Sequence, residues 1–345
     1  MLDFDRRGSR SRGKNPVRRR EFITLLSGAV AAWPRAAFAQ PREQKRRVAV
    51  LMGGLMRGDP GGQAETAAFE EGLIELGWKL GGNIELDYHW PGAELDQVTV
   101  AANEIAAMRP DLVVSRSTPA TAAIRNRGVP IVFVLVADPK GSAFVQDLGR
   151  PGGTLTGFST FEASVGGKWL GLLKEAAPAV SHVSLLFNPE TAPFADGYLQ
   201  SAQAAAQTLR TTITSAPCGG TADIEAAFAA GARDRGGGII GIADTFITEH
   251  RDFIIALAAR YRLPAVYGSR IFVPFGGLLA YSADFPDIFH RAAGYVDRIL
   301  RGAHAGELPV QAPARFTLSV NLKAARAIGL ALPQGLIARA DEVIE

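Results

Sequence analysis

The chain has 345 residues, with 37 Lys and Arg against 34 Asp and Glu, and a single cysteine, Cys218. One cysteine excludes an intramolecular disulfide. The net charge of +3 does not point to nucleic acid either, because residues 1–39 hold nine Lys/Arg against three Asp/Glu and the rest of the chain is net negative, −3.

The chain begins with an export pattern. Arg18, Arg19 and Arg20 run into Glu21-Phe22-Ile23 and an apolar stretch that reaches Trp33, followed by small residues at Ala37-Phe38-Ala39. The pair Arg19-Arg20 with Phe22 resembles a twin-arginine signal, with cleavage expected after Ala39 and export to the periplasm. The apolar run is well short of the ~20 residues a membrane span needs, and no later segment is long enough. Cys218 lies far from the cleavage site, so no lipid anchor is expected. The mature chain should be a soluble monomer of two domains.

From residue 46 onward, short β-branched runs alternate with Ala/Leu-rich stretches at helical spacing, the pattern of βαβ units around a parallel sheet. Strands are predicted at 48–52, 84–88, 112–114 and 131–136, and helices at 64–76, 95–108 and 120–126. The succession then restarts: strands at 183–187, 211–214, 238–242 and 265–267, helices at 198–209, 224–232 and 249–261. Gly128-Val129-Pro130 and Arg262-Leu263-Pro264 lead into the fourth strand of each half. Two doubly wound Rossmann-like lobes follow from the repeat.

Three extended segments read as crossings between the lobes: the glycine-rich 151–158, then 276–281, which precedes a helix at 288–300, and 316–320. Residues 46–157 with 282–308 are therefore expected in lobe I, and 158–281 with 309–345 in lobe II.

Several segments in this order resemble one family. They are Ser117-Thr118-Pro119-Ala120, Ala137-Asp138-Pro139, Arg150-Pro151-Gly152-Gly153, Asn188 after a strand, and Gly276-Gly277-Leu278 through Tyr281 to Asp284. The chain is similar to ABC transporter substrate-binding proteins, whose relatives include tryptophan and phenylalanine binders. The resemblance implies a type I periplasmic binding fold and delivery of a small-molecule solute to an ABC permease. A ligand-sensing receptor working with a separate membrane protein is the alternative.

Ligands of open α/β sheets bind beyond the carboxyl ends of the strands, and here two such edges would face one cleft. The candidate binding residues are Gly53, Gly54, Asp59, Ser117, Thr118, Thr121 and Asp138 from the first half. Asn188, Asp244, Thr245 and Tyr267, with Asp284 after the second crossing, complete the set. Ser117 and Thr118 open a helix and offer hydroxyls and free N–H groups to a carboxylate. Asp284 could meet an ammonium, as the acidic residue at the matching place in the family implies.

No catalytic or metal constellation emerges, and no cofactor is expected. His89, His182, His250, His290 and His304 form no ligand pair at metal-binding spacing. Gly166-Gly167-Lys168 looks like part of a phosphate loop, but Trp169 replaces the hydroxyl residue such a loop requires. Cys218 has no histidine placed beside it, and no nucleophile turn is present.

Overall fold

The computed structural model describes residues 45–160, 162–233 and 236–345; the proposed export signal lies outside them. The first half forms a five-stranded sheet from β1 (Arg46–Met52), β2 (Ile84–His89), β3 (Leu112–Arg116), β4 (Ile131–Val136) and β5 (Leu155–Ser159). Its order is β2-β1-β3-β4-β5, with every pairing parallel. Parallel strands covered on both faces read as continuous apolar runs, and β4 is buried at all six positions.

The intervening helices are α1 (Pro60–Glu75), α2 (Leu95–Met108) and α3 (Thr118–Ile124). The start of α1 is fixed by Asp59, whose side chain accepts from the N–H groups of Gly61 and Gly62, with Pro60 in the first turn.

The second half contributes α4 (Val165–Ala176), β6 (His182–Phe187), α5 (Ala195–Leu209), β7 (Thr212–Pro217), α6 (Thr221–Gly231) and β8 (Gly237–Gly241). It continues with α7 (Thr245–Glu249), α8 (Arg251–Tyr261), β9 (Ala265–Tyr267) and β10 (Leu279–Ala283). After α9 (Phe285–Leu300) come β11 (Phe316–Asn321), α10 (Leu322–Ala327), α11 (Gln334–Ala338) and β12 (Glu342–Ile344). These strands form a seven-stranded sheet ordered β12-β11-β10-β9-β8-β6-β7, in which only the β10–β11 pairing is antiparallel.

Helix α9 packs against α1, burying Ile288, Phe289, Ala292 and Val296 in the core of the first sheet. The chain therefore passes between the sheets three times: after β5, at Asp284 between β10 and α9, and between Leu308 and β11. Backbone bonds gather these passages: Ser159 N–H donates to Gln311 O (2.8 Å), and Asp284 N–H to Arg315 O (3.1 Å). The result is a mixed α/β protein of two lobes, each built on a mostly parallel sheet.

Some local expectations change. The glycine-rich 151–158 is not wholly a crossing, because Leu155–Ser159 pairs with β4 as the fifth strand. Gly157 is required there, at φ 155, since a Cβ would lie 1.9 Å from Phe133 O. The helix expected at 249–261 is α8, Arg251–Tyr261, and the short α7, Thr245–Glu249, precedes it and meets it at His250. Gly166, read above as part of a failed phosphate loop, lies in α4, where a Cβ would come within 2.1 Å of Tyr198 O; its small size lets α4 pack on α5.

Candidate ligand site between the lobes

At the end of β3 the chain turns sharply, with Ser117 at φ 84 and α3 beginning at the next residue. Ser117 Oγ accepts from Ala120 N–H (3.4 Å), and Thr118 Oγ1 accepts from Ala137 N–H (3.3 Å). Each hydroxyl oxygen thus takes a backbone donor and keeps its own proton free to donate. The turn sits tightly on the β1–α1 loop: a Cβ on Gly53 would lie 2.7 Å from Ala120 Cβ and 3.0 Å from Ser117 Oγ.

On the other lobe, Asp244 follows β8 and caps α7. Its carboxylate accepts from Phe246 N–H (3.1 Å), Asn188 N–H (2.8 Å) and the Thr191 hydroxyl. Asp244 is only 4% exposed, and burial pushes its carboxyl up to about 6 against the opposing effect of those hydrogen bonds. Among the described residues no cationic side chain pairs with it. Thr245 beside it has a buried hydroxyl without a hydrogen-bond partner.

Ser117, Thr118, Thr191, Phe194, Asp244 and Thr245 line one cavity of about 40 Å³ between the lobes. Arg116, Thr248, Ser269 and Phe285 border it and also border a larger chamber of about 300 Å³. The lobes touch around these spaces. A Cβ on Gly54, at φ 86, would fall 2.5 Å from Thr245 Cγ2, and Arg251 Nη2 lies 3.0 Å from Asp59 Oδ2.

Other residues expected at the site have structural partners. Thr121 is fully buried and donates to Ser117 O (2.9 Å). Asp138 accepts from Gly141 N–H (2.8 Å) in a turn, and Asn188 Oδ1 accepts from Glu190 N–H (2.8 Å) and Thr191 N–H (3.2 Å). Asn188 nevertheless supports the site by holding Asp244. Tyr267 points into lobe II, stacked on Phe272 with ring centroids 4.2 Å apart. Asp284 caps α9 through Asp287 N–H (3.3 Å), with Arg315 Nη2 3.9 Å from Oδ2; its neighbour Phe285 lines the cavities instead.

Sequence reasoning did not single out the Arg116–Glu65 pair. Arg116 Nε donates to Glu65 Oε2 (2.7 Å), Nη2 to Oε1 (3.2 Å), and Nη1 to Gly53 O (2.9 Å). Burial raises the Glu65 carboxyl, and the Arg116 charge opposes the rise. Nothing local marks these two residues, which lie 51 positions apart.

Two lobes on parallel sheets, with hydroxyls and a buried carboxylate facing across a closed cleft, define a binding protein of the type I periplasmic class. Residues 56–344 match the family model for ABC transporter substrate binding proteins, and the chain belongs to that family. A crystal structure of a conserved domain protein from Vibrio cholerae O1 biovar eltor superposes with a TM-score of 0.79 at 26% identity, covering 87% of this chain and all of that one. An ABC domain from Streptococcus pneumonia in complex with L-Trp has the same fold, with a TM-score of 0.79 at 21% identity over 87% of this chain and 100% of that chain. A tyrosine-binding protein of Clostridioides difficile (strain R20291) is 28% identical over 122 residues, 35% of either chain, so the match spans about a third of that relative's length. The family is one of substrate-binding proteins, not of enzymes.

Proposed function

We propose that this chain is the periplasmic solute receptor of an ABC importer, and that it binds a small amino-acid-like molecule between its lobes for delivery to the permease. One observation carries the ligand class: free hydroxyl protons on Ser117 and Thr118 face a buried carboxylate, Asp244, that lacks a cation. A ligand carboxylate accepts from the hydroxyls and a ligand ammonium pairs with Asp244, so opposite ends of one zwitterion join the lobes. The ammonium role expected of Asp284 passes to Asp244, because Asp284 is engaged by α9 and Arg315. The tyrosine-binding relative and the L-Trp complex support an amino-acid ligand. The Arg19-Arg20 signal supports export.

Native mass spectrometry of freshly purified protein tests this, followed by calorimetry with the amino acid retained. Thr118→Val should weaken binding about five- to thirty-fold, the equivalent of a lost neutral hydrogen bond. Asp244→Asn should weaken it more, because the ligand ammonium is left buried without a counter-charge. Retention of a neutral sugar, or unchanged affinity in both variants, would exclude the amino-acid reading.

A further inference from the structure

The 40 Å³ space between Ser117 and Asp244 holds a head group and little else; the adjoining chamber of about 300 Å³ must take whatever extends from it. An apolar cavity of about 150 Å³ suffices for benzene. The chamber therefore has room for an aromatic ring with a substituent. Its walls suit one: Pro60, Ala64, Ile271, Pro274, Phe275 and Phe285 are apolar.

Four charged side chains also face it: Glu65, Arg116, Arg270 and Glu342. Glu65 and Arg116 satisfy each other in a two-pronged pair, and Arg116 Nη1 is held by Gly53 O. Glu342 Oε2 accepts from Ser319 Oγ (2.8 Å) and forms no ion pair with Arg270. Arg270 is different. It is partly buried, opens the 3-10 helix Arg270–Phe272 after β9, and among the described residues its guanidinium has neither an ion pair nor a side-chain hydrogen bond. Its charge reaches the chamber interior, where it opposes the rise in the Glu65 carboxyl.

We infer that the chamber recognises the far end of the ligand: an aromatic side group carrying an acidic substituent whose anion pairs with Arg270. This rests on the head-group reading above. A plain aromatic group would fill the space and displace water while leaving the guanidinium without a counter-charge, which is costly. A carboxylate substituent matches its planar fork with two hydrogen bonds. A basic substituent would meet Arg270 as a like charge, and of the two carboxylates lining the chamber Glu65 is paired with Arg116 and Glu342 accepts from Ser319.

Calorimetry with 4-carboxy-L-phenylalanine, L-phenylalanine and 4-aminomethyl-L-phenylalanine tests the inference on the wild type, Arg270→Met, Arg270→Gln and Asp244→Asn. The 4-carboxy compound should bind the wild type at least tenfold more tightly than phenylalanine, about 1.4 kcal/mol. That preference should vanish in either Arg270 variant. Asp244→Asn should weaken both ligands by a similar factor and keep their ratio, because Asp244 does not line the chamber. If phenylalanine or the aminomethyl compound binds the wild type as tightly while Asp244→Asn still weakens each, the chamber assignment is wrong and the head-group reading stands. If none of the three binds, the chamber assignment is wrong and the head-group reading rests on the retained amino acid; if Asp244→Asn changes nothing, the head-group reading fails and takes this inference with it. The wild-type ratio alone refutes the inference should both Arg270 variants fail to fold.

Discussion

Gly54 separates the energetics of the fold from those of lobe closure. It has φ 86, and an alanine Cβ there would lie 2.5 Å from Thr245 Cγ2 and 2.9 Å from Thr245 Cβ. Ordinary carbon contacts are about 3.5 to 4.0 Å, so the two lobes would have to part locally by about an ångström. Gly54→Ala therefore carries two costs. The left-handed backbone costs about 1 to 2 kcal/mol whether the cleft is open or closed, and so lowers stability without ligand. The collision with Thr245 exists only when the lobes meet; overpacking of this kind costs about 1 to 3 kcal/mol, an affinity loss of about five- to 150-fold.

Thermal unfolding without ligand reads the first cost, and calorimetry with the retained ligand reads the second. Thr245→Gly removes both colliding atoms, so a double-mutant cycle should show favourable coupling of at least about 1 kcal/mol in binding and almost none in ligand-free stability. Zero coupling in binding would refute the contact and, with it, the closed cleft as the bound arrangement.

Arg251→Met removes the 3.0 Å ion pair to Asp59, whose other bonds still cap α1; the ligand-bound protein should scatter X-rays with a larger radius and release ligand about tenfold faster, and an unchanged radius and release rate would exclude a clasp there. Asp244 makes both stability and binding depend on pH. Its folded value of about 6 lies above the ordinary 3.8, so this carboxyl favours the ligand-free fold below pH 4 and that contribution is lost as pH rises through 6. A ligand ammonium requires the ionised form, so affinity should fall progressively below pH 6, and a flat profile from pH 7 to 4.5 would exclude the pair. Gly157→Ala sets a Cβ against Phe133 O and should lower the urea midpoint by the equivalent of more than about 3 kcal/mol; a stable variant with altered closure would instead restore a hinge role for this glycine. Arg19→Lys with Arg20→Lys should leave the precursor in the cytoplasm on fractionation, and normal periplasmic yield would exclude the twin-arginine route.

Periodicity located the repeated βαβ succession, and for Leu95–Met108, Ile131–Val136 and Ala265–Tyr267 it did so to the residue. These elements are legible because burial on one or both faces writes a period of 3.6 or a continuous β-branched run into consecutive residues. The placement of Ser117, Thr118 and Asp244 at strand-to-helix turns was also legible, since each follows a strand and caps or opens a helix; their part in ligand binding belongs to the proposal above. The tertiary structure decided everything that depends on distant partners. It made Leu155–Ser159 a fifth strand through Phe133, turned Tyr267 onto Phe272, and gave Asp284 to Arg315. It also joined Glu65 to Arg116, and Asp59 to Arg251 across nearly two hundred residues. A sequence pattern records how much of each side chain is buried; which charge meets which is set by how the two sheets face each other, and no local period carries that information.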